Sequence, residues 1–170
     1  MKRVGALFLA VTLTAAADQT GPSALLVQIK ERGAKAVFEG LDPSAWGQIL
    51  AGVESGKRQW LEVAVAIYPA TDAGPSVMLI QSGGVALVRA PKDVLTILVP
   101  THPIQGICGY PEMGDERTDT KEEVLAYLRA RSQQVETLKG KDIQAKRSEC
   151  LKVLAATERD VLRPDGPFGK

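Results

Sequence analysis

Apolar residues recur along most of the chain at steps of three and four, the spacing of one face of an α-helix. In residues 21–40, GPSALLVQIKERGAKAVFEG, Leu26, Ile29, Gly33 and Val37 share such a face, and Gly40 can close the helix. The next stretch, LDPSAWGQILAGVESG, places Asp42 as N-cap and Pro43 at the first helical position. Its apolar stripe is Trp46, Ile49, Leu50 and Val53, and Gly56 ends it. RQWLEVAVAIYP continues with Trp60, Val63, Ala64 and Ile67 on one face until Pro69, although Val63, Val65 and Ile67 also alternate as a strand does.

Residues 74–91, GPSVMLIQSGGVALVRAP, admit two readings. A helix from Pro75 to Val88 must carry Gly83 and Gly84 inside it, at about 1 kcal/mol each. A hairpin would turn at the same glycines. The helix is favoured, because the neighbouring segments are helical and a lone hairpin is marginally stable. APKDVLTILVP then reads as one short helix between Pro91 and Pro100.

The C-terminal third has the clearest pattern. Thr120 and Glu123 form a T-x-x-E capping box, followed by Val124, Leu128, Arg131, Val135 and Leu138 at alternating steps of four and three. Gly140 breaks this helix, and a second runs from about Asp142 to Leu162 with Ile143, Cys150, Leu151, Leu154 and Val161 on its apolar side. A single-glycine break between two amphipathic helices predicts an antiparallel pair. The expected fold is all-α: stacked short helices, then a long C-terminal antiparallel pair, with one disulfide. One domain spans residues 18–163, and RPDGPFGK, without a core pattern, makes residues 164–170 a flexible tail.

The N-terminus changes the picture of where this fold works. Lys2 and Arg3 precede an uncharged apolar run from Val4 to Ala16, and Ala15-Ala16-Ala17 stands before Asp18. That order is expected of a cleavable signal peptide over residues 1–17. The run is too short to span a bilayer, which takes about 20 residues, so a periplasmic or secreted chain without membrane insertion is expected. The whole sequence carries 21 Lys and Arg against 20 Asp and Glu. Such balance removes the electrostatic reason to expect nucleic acid as a partner. One histidine and two cysteines are too few for the usual zinc ligand sets, and no cofactor is implied.

The run from LLVQIKERGAKAV through WLEVAVAIYPATDAG to ICGYP, EEVLAYLRAR and RSECLKVL resembles a group of small secreted proteobacterial proteins of unknown function. These are all-helical and loosely similar to HEAT- or TPR-like arrays. The resemblance implies a helical segment at 75–88 and pairing of the two cysteines, and it carries no catalytic motif.

Candidate chemistry narrows from there. Cys108-Gly109-Tyr110 begins like a CxxC redox motif, but Pro111 occupies the place of the resolving cysteine. An even cysteine count in an exported protein is the ordinary setting for a structural disulfide, and Cys150 lies on an apolar helix face. Cys108 and Cys150 are therefore expected to bond. His102, between Pro100 and Pro103, reads as a solvated loop residue. The acids Asp115, Glu116, Asp119, Glu122 and Glu123 read as a solvated face rather than a general acid-base pair. Trp46 and Trp60 fall on apolar stripes and read as core residues. YPATDAGPS, with Tyr68, Thr71, Asp72 and Gly74, is a loop of small and polar residues where a partner could dock. Three functions stay open: a non-enzymatic protein-interaction module of the cell envelope, an immunity or inhibitor protein against a delivered toxin, and a thiol-redox protein using Cys108.

Overall fold

The computed structural model describes residues 21–109 and 120–168. The expected signal peptide, Pro111 and the acids Asp115, Glu116 and Asp119 lie outside them. Among the described residues the fold is all-α with no strand.

The first segment corrects the expectation of one helix over residues 21–40. Helix α1 (Pro22–Arg32) stops at Gly33, whose φ of 84° turns the chain before α2 (Ala34–Glu39) begins. Only glycine takes that backbone conformation without strain. The break sends Leu25 from α1 and Val37 from α2 into the core.

Helix α3 (Pro43–Glu54) starts as its sequence predicts, with Asp42 Oδ1 accepting from the Ala45 amide at 2.8 Å. Helix α4 (Arg58–Ile67) buries Leu61, Val63, Ala64 and Ile67, and a short 3₁₀ turn (Tyr68–Ala70) follows. Residues 75–86 are helical rather than a hairpin, within α5 (Ala73–Ala86), and the helix ends two residues before the expected Val88. The glycines inside α5 have a packing reason. A Cβ on Gly83 would sit 2.8 Å from Leu98 Cδ1, and one on Gly84 would collide with the Arg131 guanidinium. Two neighbouring elements approach α5 so closely that no side chain fits between.

Pro91 to Leu98 is one helical segment but not a uniform one. After α6 (Pro91–Asp93) it widens into a π-turn (Val94–Leu98), closed by the Val99 amide on the Val94 carbonyl at 3.3 Å. The wider turn places Val94, Leu95 and Leu98 all in the core. Helix α7 (Ile104–Cys108) buries Ile104, Ile107 and Cys108.

Helix α8 (Lys121–Glu136) opens on the expected capping box: the Glu123 amide donates to Thr120 Oγ1, and Glu123 Oε2 accepts from the Thr120 amide. Gly140, at φ 124°, separates it from α9 (Gln144–Leu162). The pairings between them run antiparallel: Arg129 bonds Glu158 at 2.9 Å, while Arg147 donates to the carbonyls of Val135 and Glu136. Arg147 so adds a donor to carbonyls in the last turn of α8, where the helical ladder runs out. The Cys108–Cys150 disulfide joins α7 to α9, across a Cα separation of 5.5 Å.

Packing proceeds from α1 against α4, through α3 against α5, to α5 against α7 and α7 against α9. Ile49, Leu61, Ile67, Leu79, Leu87, Leu95, Leu98 and Ile107 are fully buried, and each contributes about 1.5–3 kcal/mol by leaving water. Among the described residues, one charged side chain shares this interior. Arg131 is 1 % exposed, donates from Nη1 to the Gly109 carbonyl at 3.0 Å and lies over the Tyr127 ring. At the C-terminal end, Phe168 packs against the rim of the core. Among the described residues no helix is long and apolar enough to cross a membrane.

Candidate interaction site

The segment 68–76 is shorter as a loop than its composition suggests. Tyr68 belongs to the 3₁₀ turn and stacks on His102, with ring centroids 4.0 Å apart. Thr71 turns back to donate from its hydroxyl to the Tyr68 carbonyl at 2.8 Å. Pro69, Asp72 and the start of α5, with Ala73 and Gly74, face solvent. The structure therefore separates the four residues: Tyr68 and Thr71 stabilise the turn, while Asp72 and Gly74 stand at the surface.

His102 is not the solvated loop residue its two flanking prolines suggest. It is 3 % exposed, held under Tyr68. Pro103 starts a new helix at Ile104, so the chain turns inward between the π-turn and α7 and takes the ring with it. Nδ1 lies 2.8 Å from Thr101 Oγ1 and 3.3 Å from the Leu98 carbonyl, while Nε2 is buried without a hydrogen-bond partner. Burial disfavours the imidazolium and pushes its pKa down to about 4, against a smaller opposing effect of the Leu98 carbonyl.

Cys108 and Cys150 are both fully buried in their disulfide. No sulfur is exposed to an attacking thiolate. Glu122 and Glu123 lie exposed in the first turn of α8, where negative charge is favoured by the helix dipole.

The surface with the most distinctive chemistry lies where α3 meets α5. Residues 43–53 and 73–88 contain no Lys, Arg, Asp or Glu, and the two helices pack side by side. Val77 and Met78 of α5 are 43 % and 42 % exposed on this uncharged face. At its edge is a pocket of about 270 Å³ lined by Phe38, Leu41, Asp42, Pro43, Trp46 and Pro75. Phe38 and Trp46 meet edge-to-face, centroids 5.5 Å apart and planes at 77°. The Trp46 indole N–H is buried and makes no hydrogen bond.

The apolar stripe of α3 places Trp46 toward the interior, and its half-buried ring does pack there. It also forms a pocket wall, which helical periodicity does not show. Phe38, Leu41, Asp42, Pro43 and Trp46 lie within nine consecutive residues around the turn from α2 to α3, and Pro75 of α5 is the one lining residue brought in from elsewhere in the chain. The legible signal is the absence of charge over residues 43–53 and 73–88. Trp60 packs against α3, as its stripe predicts.

Compared with family models, curated proteins and solved structures, the chain matches none.

Proposed function

We propose that the protein is a non-enzymatic protein-interaction module of the cell envelope, docking a protein partner through the face formed by α3 and α5. The observation that carries this reading is the charge-free surface itself. Val77 and Met78 stand exposed on a pair of helices that present no charged side chain over 27 residues. Depletion of charge and enrichment of Met and aromatic side chains are what the centre of a protein interface has. The buried Cys108–Cys150 disulfide is compatible with an oxidising compartment, and the likeness to small secreted helical proteins supports the same setting.

The test is affinity capture from an envelope extract with the intact protein beside a Val77→Glu, Met78→Lys double variant. Both positions are exposed, so the variant should keep its helical circular dichroism and melting temperature. A specific protein retained by the parent and lost by the folded variant is the expected result. Equal capture by both, or no specific protein with either, would remove the reading.

A further inference from the structure

We infer that the pocket beside α3 is a binding site for an arginine side chain presented by the protein partner. This inference rests on the interaction-module reading and adds the chemistry of the contact. Three observations converge on it. The pocket, at about 270 Å³, lies just below the 300–1,000 Å³ typical of sites for whole small molecules. It has room for one long side chain.

Its walls are of two kinds. Leu41, Pro43 and Pro75 are apolar and suit the methylene stem of a long side chain. Phe38 and Trp46 contribute two aromatic rings, set nearly at right angles, whose faces attract a cation within about 6 Å of the centroid.

The third observation is charge. Among the described residues Asp42 is the only charged one in the lining, and no ion pair among them engages it. Its Oδ1 caps α3 through the Ala45 amide, which leaves Oδ2 for a ligand. An anionic ligand would meet this carboxylate with no compensating Lys or Arg in the lining. A neutral apolar ligand would gain nothing from this carboxylate. Arginine is favoured over lysine because its planar, weakly hydrated guanidinium stacks on aromatic faces as well as donating to carboxylates.

The test is an NMR titration of the intact, disulfide-bonded protein that follows the Trp46 indole N–H, assigned with Trp60→Phe. The probes are two blocked tripeptides, glycine-arginine-glycine and the same peptide with neutral, isosteric citrulline. The arginine peptide should shift the Trp46 resonance with a Kd on the order of 1 mM. Citrulline should weaken binding about tenfold or more. Asp42→Asn should weaken the arginine peptide similarly without loss of melting temperature, since asparagine caps a helix as well as aspartate. Equal binding of the two peptides, unchanged binding to Asp42→Asn, or no shift with either peptide overturns the inference. If the partner captured from the envelope extract is retained equally by Asp42→Asn but lost by the Val77 and Met78 variant, the module reading stands and the arginine site alone falls.

Discussion

Arg131 and Gly84 occupy one another's space: the guanidinium lies where a side chain at Gly84 would have to be. The same guanidinium donates to the carbonyl of Gly109, the residue after disulfide-bonded Cys108. An arginine that its heptad-like spacing placed on an apolar face is therefore the link between α5, α7 and α8. Among the groups that meet this buried charge are the Gly109 carbonyl and the Tyr127 ring.

Replacing Gly84 with alanine should destabilise the protein. Helix propensity alone favours alanine by about 1 kcal/mol. Forcing a methyl against the guanidinium and toward the Ile107 carbonyl, 3.1 Å from the ideal Cβ, costs about 1–3 kcal/mol in a packed interior. A lower urea midpoint is the expected outcome. A raised midpoint would show that the guanidinium moves aside freely.

Arg131→Met should cost about 2–3 kcal/mol in urea unfolding, because it removes a charge-assisted bond and leaves the buried Gly109 carbonyl without its donor. Arg131→Lys should restore only part of this, since an ammonium neither forks nor stacks as a guanidinium does. Full stability in the lysine variant would mean that charge alone matters at this position.

Much of this architecture is legible in the sequence because helix ends are local. Asp42 with Pro43 and Thr120 with Glu123 specify their caps within four residues, and the structure forms both. The cysteine pair is legible for a different reason, compartment and count together with the face on which Cys150 lies. The break at Gly33 is not, since a glycine at a stripe position suits a continuous helix as well as a turn with φ 84°. Nor is the π-turn at Val94–Leu98, whose apolar spacing fits an ordinary helix equally well. Prolines at 100 and 103 mark a loop, but burial of His102 depends on Tyr68, 34 positions earlier in the chain. The pocket is local except for Pro75, which α5 brings against the turn from α2 to α3.

Burial of His102 gives the fold a defined acid sensitivity. Its pKa is near 4 in the folded protein against 6.5 ordinarily, so between those values the unfolded chain binds more protons. Stability from this residue is constant above pH 6.5, falls as pH drops toward 4, and levels off below. The full loss is about 3.5 kcal/mol at roughly 1.4 kcal/mol per pH unit. His102→Phe, which keeps a ring against Tyr68, should flatten that part of the stability profile between pH 6.5 and 4. A slope unchanged by the substitution would place the sensitivity elsewhere.

The disulfide should behave as a structural crosslink. Cys108 and Cys150 are 42 residues apart in sequence and wholly buried, and closing a loop of that length stabilises the fold by about 4 kcal/mol in the chain-entropy model. Cys108→Ser and Cys150→Ser should each cost about 2–5 kcal/mol. The double variant should cost little more than either, because both single changes delete the same bond and their effects do not add. Burial sets the kinetic expectation: reductant should reach the bond only on the timescale of opening, and added denaturant should accelerate reduction. Partner capture should fall no further than the folded fraction does. A redox protein would show the reverse, with rapid reduction of the native form, a trapped mixed disulfide at Cys108, and loss of function in a fully folded serine variant. Alkylation of native, unreduced protein followed by intact mass separates the two: no label on either cysteine is expected, and label on Cys108 with Cys150 protected would overturn the structural role.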